Sequence, residues 1–491
     1  MAAPKVVSAK CPTCGANLPV SPGMFQITCR YCQNVIHVEH RKPPPEVRPF
    51  GAPGAMPSRT LYVDPALMNA GRNVGLIIAL STLVPILLPL LFIGGPWALR
   101  SCKSTVRPFP VACGLNEQIT VSGDYETTGP LVTSAAHNCK LHIKNAKIKG
   151  ATLLKTDASN IELTLENVTL ETTDVAVRSG ANLKVRATGS TLTSGAAVFD
   201  SDANMTVTLQ GTTLESKGIA VKSKHNLKVD MEGGKIRGQR SAIDADSSLT
   251  LTMKNNAEIS GAGGTAVKAS SSFNLEAEGG KVDGALVLTS SAKIEATGLT
   301  IAAKGRAITA TSSFKLDLTD GAVTSLGDAA IQSESSSDIE LSNTTVQGAT
   351  NAIITSSNSK VRASKKSRIV ALGGSAVVSS SSAELSVEDA SLEATLKAFR
   401  GTSSNAITLA QGARLIGKQG GIYAENNLRV EASGATLEGG SGAALTATIG
   451  SRVSFKQGVL KGTPALQFER KPTSLELDGT RIEGAQQIPP R

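Results

Sequence analysis

Asn138, Asn160, Asn182, Asn204, Asn226 and Ser248 stand 22 residues apart, and so do Ile148, Leu170, Leu192, Leu214 and Ile236. From Asn160 onward each asparagine opens a short run in which apolar and polar residues alternate: NIELTL, NLKVRA, NMTVTL, NLKVDM. That period of two is the mark of a strand with one buried face. A third feature recurs every 19 to 24 residues, an alanine or glycine followed by an aliphatic or aromatic residue, from Ala176-Val177 through Ala330-Ile331 and Ala398-Phe399 to Ala465-Leu466. A unit of about 22 residues with three short strands cannot bury an apolar face alone, so successive units must stack. Stacked, they give three parallel sheets around one continuous core. The chain is therefore expected to be mainly β, a right-handed parallel β-helix of about 14–15 coils over residues 113–486. At roughly 4.8 Å per strand it would be a rod near 70 Å long. Leucine-rich repeats would show a denser leucine pattern, helical repeats need a period of 3.6, and an array of sandwiches would not hold this register.

The register also places cysteines. Cys139 occupies the slot that Ile161, Leu183 and Leu227 fill in later coils, which predicts a buried core thiol. Cys113 falls at the start of the first coil, where the open end of the sheets needs a cap. Seven cysteines in 491 residues are too few for a disulfide scaffold. For Cys102, Cys113 and Cys139 three alternatives stay open: free thiols, a Cys102–Cys113 bridge, or a Cys113–Cys139 bridge.

The other four cysteines lie in CPTCGANLPVSPGMFQITCRYC, residues 11 to 32. A Cys-x-x-Cys turn sets two thiolates along one edge of a tetrahedron, so Cys11 and Cys14 with Cys29 and Cys32 make a complete four-sulfur set. Short strands at ANLPV, FQITC and NVIHV surround the two turns. The segment, residues 1–40, resembles the zinc ribbons of many bacterial and transcription-factor proteins. A closed four-thiolate site implies structural Zn²⁺ with no open coordination position. No basic-then-apolar signal-peptide pattern precedes it. Residues 41–73 follow as a tether with seven prolines. Val74 to Leu99 then runs 26 residues without a charge, bracketed by Arg72 and Arg100, with Trp97 where an interfacial aromatic belongs. This predicts one transmembrane helix over 74–96, kinked at Pro85 and Pro89 as membranes allow, and a juxtamembrane segment over 97–112.

Charge narrows the partners. The net charge is +10, of which residues 1–73 carry half, with no dense basic tract. That argues against nucleic acid as a partner and leaves a protein partner for the ribbon.

The repeat region is similar to the pectate-lyase-like superfamily of β-helices. Members that cleave acidic polysaccharides present acidic residues, often for Ca²⁺, with an Arg or Lys base, and related hydrolases carry clustered Asp with Gly-His-Gly and Arg-Ile-Lys signatures. Neither signature occurs here, and His137, His142 and His225 match no motif. One strip of charge does align across coils: Asp200 and Asp202, Lys222 and Lys224, Asp244 and Asp246, then Lys268. It reads either as an acid-and-lysine site for a metal or anionic sugar, or as a ladder of cross-coil salt bridges. Beyond residue 110 there are two Tyr, six Phe and no Trp, with Phe273, Phe314 and Phe399 on core slots, so platforms for sugar rings are scarce.

These readings converge on a single-pass plasma or inner membrane protein, its ribbon cytoplasmic because thiolate zinc sites suit a reducing compartment, its β-helix extracytoplasmic. The flanking charge count, Arg59 and Arg72 against Arg100, Lys103 and Arg107, leans slightly the other way. Ser/Thr-rich β-helices also resemble exported adhesin and passenger domains, which implies adhesion, scaffolding or contact with a cell-envelope polymer, without catalysis. Two rival expectations are a membrane-anchored polysaccharide lyase or hydrolase using the strip from Asp200 to Lys268, and a cytoplasmic rod that polymerises through its ends.

Overall fold

The computed structural model describes residues 105–490 and four short strands before them, Val7–Lys10, Asn17–Val20, Gln26–Thr28 and Val35–His37. The chain divides into two units, Met1–Gly95 and Pro96–Arg491.

In the second unit the alternating runs fold as expected. Leu183–Thr188 has every second residue buried, and it pairs in parallel with Met205–Gln210, which pairs with Leu227–Glu232. Each turn of chain supplies one strand to this first face, one to a second (Thr191–Ser194, Thr213–Ser216) and one to a third (Val177–Ser179, Phe199–Ser201). The result is a parallel β-solenoid of the right-handed type with about 17 turns, and the described residues of this unit contain no helix. The alanine–aliphatic doublets open the third-face strands and are buried, Ala176 and Val177 among them.

The solenoid has more turns than the expected 14–15, for a physical reason. At its start the doublet slot holds Leu131-Val132 and Leu153-Leu154 instead of alanine, and Leu154 pairs with both Val132 and Val177. Pairing begins upstream of residue 113, at Thr105–Val106, which joins Ile119 and Thr120.

Two corners explain the asparagines and glycines. Between the first and second faces the chain must adopt a left-handed residue, supplied by Asn145 and Asn167, then by Gly189, Gly211 and Gly233 in the same column. Between the third face and the first, Asn116, Asn138, Asn160, Asn182, Asn204 and Asn226 stack. Each side-chain amide donates to the Oδ1 of the asparagine one turn earlier, at 2.7 to 3.0 Å.

The N-terminal end is closed by Phe109 packed against Tyr125, ring centroids 5.8 Å apart, and by a Cys113–Cys139 disulfide. Cys139 sits in the core as its slot requires, and it is bridged, not a free thiol. In the last turn Leu475, Leu477 and Ile482 are only half-buried.

In the first unit Val7–Lys10 pairs antiparallel with Asn17–Val20, and Gln26–Thr28 with Val35–His37. Cys11, Cys14, Cys29 and Cys32, the tether and the apolar stretch 74–96 lie outside the described residues. Among the described residues no helix is long and apolar enough to cross a membrane.

Candidate functional site

Two surfaces of the solenoid carry enough polar chemistry to be considered. The first is the charge strip on the third face. Its backbone register is Arg178, Asp200, Lys222, Asp244, Lys268 on five successive strands, so charges of opposite sign alternate along the axis. One column over, Asp202 takes Lys224 at 2.5 Å and Arg178 at 3.8 Å. The hydrogen bond from Lys224 holds the Asp202 carboxyl below its ordinary range; partial burial opposes this, and the charges of Lys224 and Arg178 reinforce it. Lys268 reaches Asp244 only at 3.7 Å, beyond hydrogen-bond distance, and Asp244 Oδ1 is buried without such a partner. Lys224 serves Asp202 alone; among the described residues no cation lies within ion-pair distance of Asp246. The strip thus holds three ion pairs, centred on Asp202 and Asp244, while Asp200, Lys222 and Asp246 have none among the described residues; an exposed pair of this kind is worth about 0.2–1 kcal/mol. No group of three or more His, Cys, Asp or Glu among the described residues is placed to hold a metal ion.

The second surface was not singled out from the sequence. Along the first face, the buried slot next to the asparagine corner holds Leu183, Met205, Leu227 and Leu249 in the N-terminal half. In the C-terminal half the same column continues Phe273, Ala292, Phe314, Ser337, Ser359, Ala383, Asn405. The corner beside it changes from asparagine to mostly serine, as at Ser272, Ser291, Ser313 and Ser336. A separate hollow of ≈ 310 Å³ lies over the same two columns beside Asn160 and Ile161, and in the C-terminal half a groove runs over them with Phe273 and Phe314 in its lining. It consists of two adjoining hollows of ≈ 470 and ≈ 410 Å³ that share Asn358 and Lys360, so it is continuous from Ser272 to Arg429. Eight turns at roughly 4.8 Å give a length of about 34 Å.

Its rim is charged, with a slight excess of cations over carboxylates, and Arg429 at its far end pairs with Glu431. Lys293 and Lys315 both pair with Glu295, at 2.8 and 3.6 Å, Lys360 pairs with Glu384 at 3.2 Å, and Asp338 accepts from Arg362 at 2.7 Å. Glu295 is held below the usual carboxylate range first by its hydrogen bond from Lys293, with burial opposing and the two lysine charges adding. On the inward-facing column Ser337 and Asn405 are 4% and 2% exposed; Ser337 Oγ and Asn405 Oδ1 are sealed from solvent without a hydrogen-bond partner, and the Asn405 amide lies against Gly401 of the third face. What the sequence carries is the change from asparagine to mostly serine down the corner column. It is invisible when each repeat is read along the chain.

One perturbed lysine was also missed. Burial lowers the Lys397 ammonium below its ordinary value, with Arg400 adding to the effect. Lys397 Nζ donates to the Gln419 carbonyl one turn on, which ties adjacent turns together.

The chain matches no protein-family model, no curated protein and no solved structure.

Proposed function

We propose that the chain is a single-pass membrane protein that displays a non-catalytic β-solenoid outside the cytoplasm, for adhesion or for contact with an envelope polymer, and keeps a structural zinc ribbon inside. The observation that carries this reading is the Cys113–Cys139 bridge between two buried sulfurs. Disulfides persist in oxidising compartments, whereas sets of free thiolates suit reducing ones. One chain has both chemistries, and the uncharged stretch from Val74 to Leu99 lies between them. A membrane crossing reconciles them.

The ribbon half has its own support. The paired strands Val7–Lys10 and Asn17–Val20 flank Cys11 and Cys14, and Gln26–Thr28 and Val35–His37 flank Cys29 and Cys32. Each Cys-x-x-Cys therefore falls in the connection of one hairpin, an arrangement that suits four thiolates on one Zn²⁺. Such an ion supplies folding energy that two short hairpins lack. A docked protein partner is the role left to so small a unit with little charge.

The test is protease accessibility of residues 110–491 in intact cells with a lysed control. Release from outside supports the reading; resistance until lysis, with the barrier verified, overturns the orientation. A second reading, the rod that stacks end to end, draws on the half-buried Leu475, Leu477 and Ile482 of a last turn whose strands pair on one side only. It requires concentration-dependent assembly of the full-length protein in light scattering. The polysaccharide lyase or hydrolase reading requires polymer cleavage that Asp202→Asn and Asp246→Asn abolish.

A further inference from the structure

We infer that the last turn of the solenoid is the contact face of a two-fold, tail-to-tail homodimer. The inference rests on the display reading above and adds the partner, a second copy of this chain, so that solenoids tethered through their N-terminal ends adhere tip to tip. It differs from end-to-end stacking because a two-fold contact closes on itself.

Three observations converge. The first is an open core at one end only. Leu475, Leu477 and Ile482 are half-buried, whereas Phe455, Leu460 and Leu466 in the layer before them are fully buried, and Ile488 is 36% exposed. Among the described residues the strands Ser474–Asp478, Arg481–Glu483 and Gln486–Gln487 pair on one side only. Three free strand edges around an apolar centre are matched by a surface of the same plan. The N-terminal end of this solenoid is not such a surface, since the buried Phe109, packed on Tyr125, and the Cys113–Cys139 bridge fill it. The C-terminal end of a second copy is.

The second is geometric. Each turn climbs one strand spacing, so the three faces of the last turn end at successive heights. A two-fold through the middle strand, Arg481–Glu483, sets the low first face of one copy against the high third face of the other. The gap is then the same on all three sides, and Ser474–Asp478 runs antiparallel beside the partner's third-face strand. A two-fold through either of the other faces makes strands collide or leaves one missing.

The third is charge. That two-fold pairs the middle strand with its own copy about Ile482, which points inward like Leu460 before it. Arg481 then stands opposite the partner's Glu483, and Glu483 opposite the partner's Arg481. Within one chain Arg481 already reaches Glu483 at 2.8 Å, and Arg481 is largely exposed. Exchanging that pair for two between copies leaves no charge unmatched, and opposite charges facing each other across an antiparallel pair stabilise it. An end face this small holds one pair of solenoids weakly, and many copies on one surface add avidity.

The experiment follows the full-length protein in detergent by sedimentation equilibrium. A monomer–dimer equilibrium that stops at the dimer and weakens with salt is expected. Arg481→Glu and Glu483→Arg should each weaken dimerisation about tenfold, and mixing the two variants should restore it as a heterodimer. Each variant chain still carries two like charges side by side, so recovery on mixing reports the contact between copies and not the fold. Ile482→Cys should cross-link to its own copy on mild oxidation, whereas Thr324→Cys, farther back on the same face, should not. Monomer at every concentration up to about 100 µM, assembly beyond the dimer, dimers indifferent to both charge variants, or no recovery on mixing each overturns the inference. If that happens while the solenoid is still cut from outside intact cells, the display reading stands and only its partner falls.

Discussion

Removing the Cys113–Cys139 bridge tests both the fold at its most exposed end and the compartment argument. The bridge spans 26 residues of sequence. Loop-closure entropy for a loop of that size is worth about 3.5 kcal/mol at 25 °C. A solenoid is a one-dimensional stack in which each turn feels mainly its neighbours, so the loss should stay local instead of lowering the stability of the whole rod. Opening of the first turns should then become about 400-fold more frequent. In Cys113→Ala/Cys139→Ala, amide exchange between Asn116 and Ile143 is expected to accelerate by a factor of that order. Exchange around Leu316, more than seven turns away, should not change. The same cysteines report the compartment: acid-quenched cells treated with a thiol reagent under denaturing conditions should leave Cys113 and Cys139 unlabelled and label Cys11, Cys14, Cys29 and Cys32. Labelling of Cys113 and Cys139 in that assay, or exchange that is equal in wild type and double variant, would refute the reasoning.

Asn160→Ala removes hydrogen bonds to Asn138 at 2.9 Å and from Asn182 at 2.8 Å and leaves alanine at φ 60°; it should cost about 1–3 kcal/mol in urea unfolding of the N-terminal turns, and Asn160→Gly should recover the part due to backbone conformation. Leu316→Ala, at a fully buried position, should cost about 2–5 kcal/mol by the same measure. Folding lowers the pKa of Asp202, Glu258, Glu295 and Glu476, chiefly through hydrogen bonds from Lys224, Lys235, Lys293 and Ser454 respectively. Groups so depressed add stability above their unfolded values of about 4 and lose it as pH falls through the folded ones, so melting temperature should be level from neutral pH to about 5 and decline below. That acid limb should be shallower in Asp202→Asn/Glu295→Gln, and also in Ser454→Ala, which leaves Glu476 only the reinforcing charge and hydrogen bond of Lys456. Chelation should release about one zinc per chain, measured by a metallochromic dye, and leave solenoid melting unchanged.

The features that the fold cannot do without were legible in the sequence, and those it merely permits were not. Core slots such as Leu183, Val185 and Ala187 must alternate with exposed residues or the strand cannot sit on the core, so the period of two and the repeat were readable directly. The turn count fell short because alanine is only one way to fill the third-face slot, and Leu131 and Leu153 fill it too. Bridge choice was out of reach from spacing alone. It depended on Val111–Cys113 pairing with the strand Pro130–Ala135, which brings Cys113 beside the turn that carries Cys139. The charge strip was placed in the correct register, but pairing within it depends on side-chain reach. Lys224 turned toward Asp202 and left Asp246 aside.

The corner between the third and first faces separates what the fold needs from what it allows. From Asn116 to Asn226 that corner holds five consecutive amide hydrogen bonds. Farther along, where the column turns to serine, the corresponding contact is the Ser272 hydroxyl donating to Ser248 at 2.9 Å. Backbone pairing continues unbroken through both halves, and so does the apolar core. Exchanging asparagine for serine forgoes side-chain hydrogen bonds, while the inner column takes the buried Phe273 and Phe314 as well as Ala292, Ser337 and Asn405 in place of leucine, so buried volume is redistributed along the rod and the stacking itself is unchanged. A uniform ladder would make the stiffer rod. Over the turns from Ser272 to Asn427 the corner returns to asparagine at Asn358 and Asn427, and the inner column alternates Phe273 and Phe314 with smaller residues, so both columns vary widely as long as the backbone ladder and the apolar core are kept.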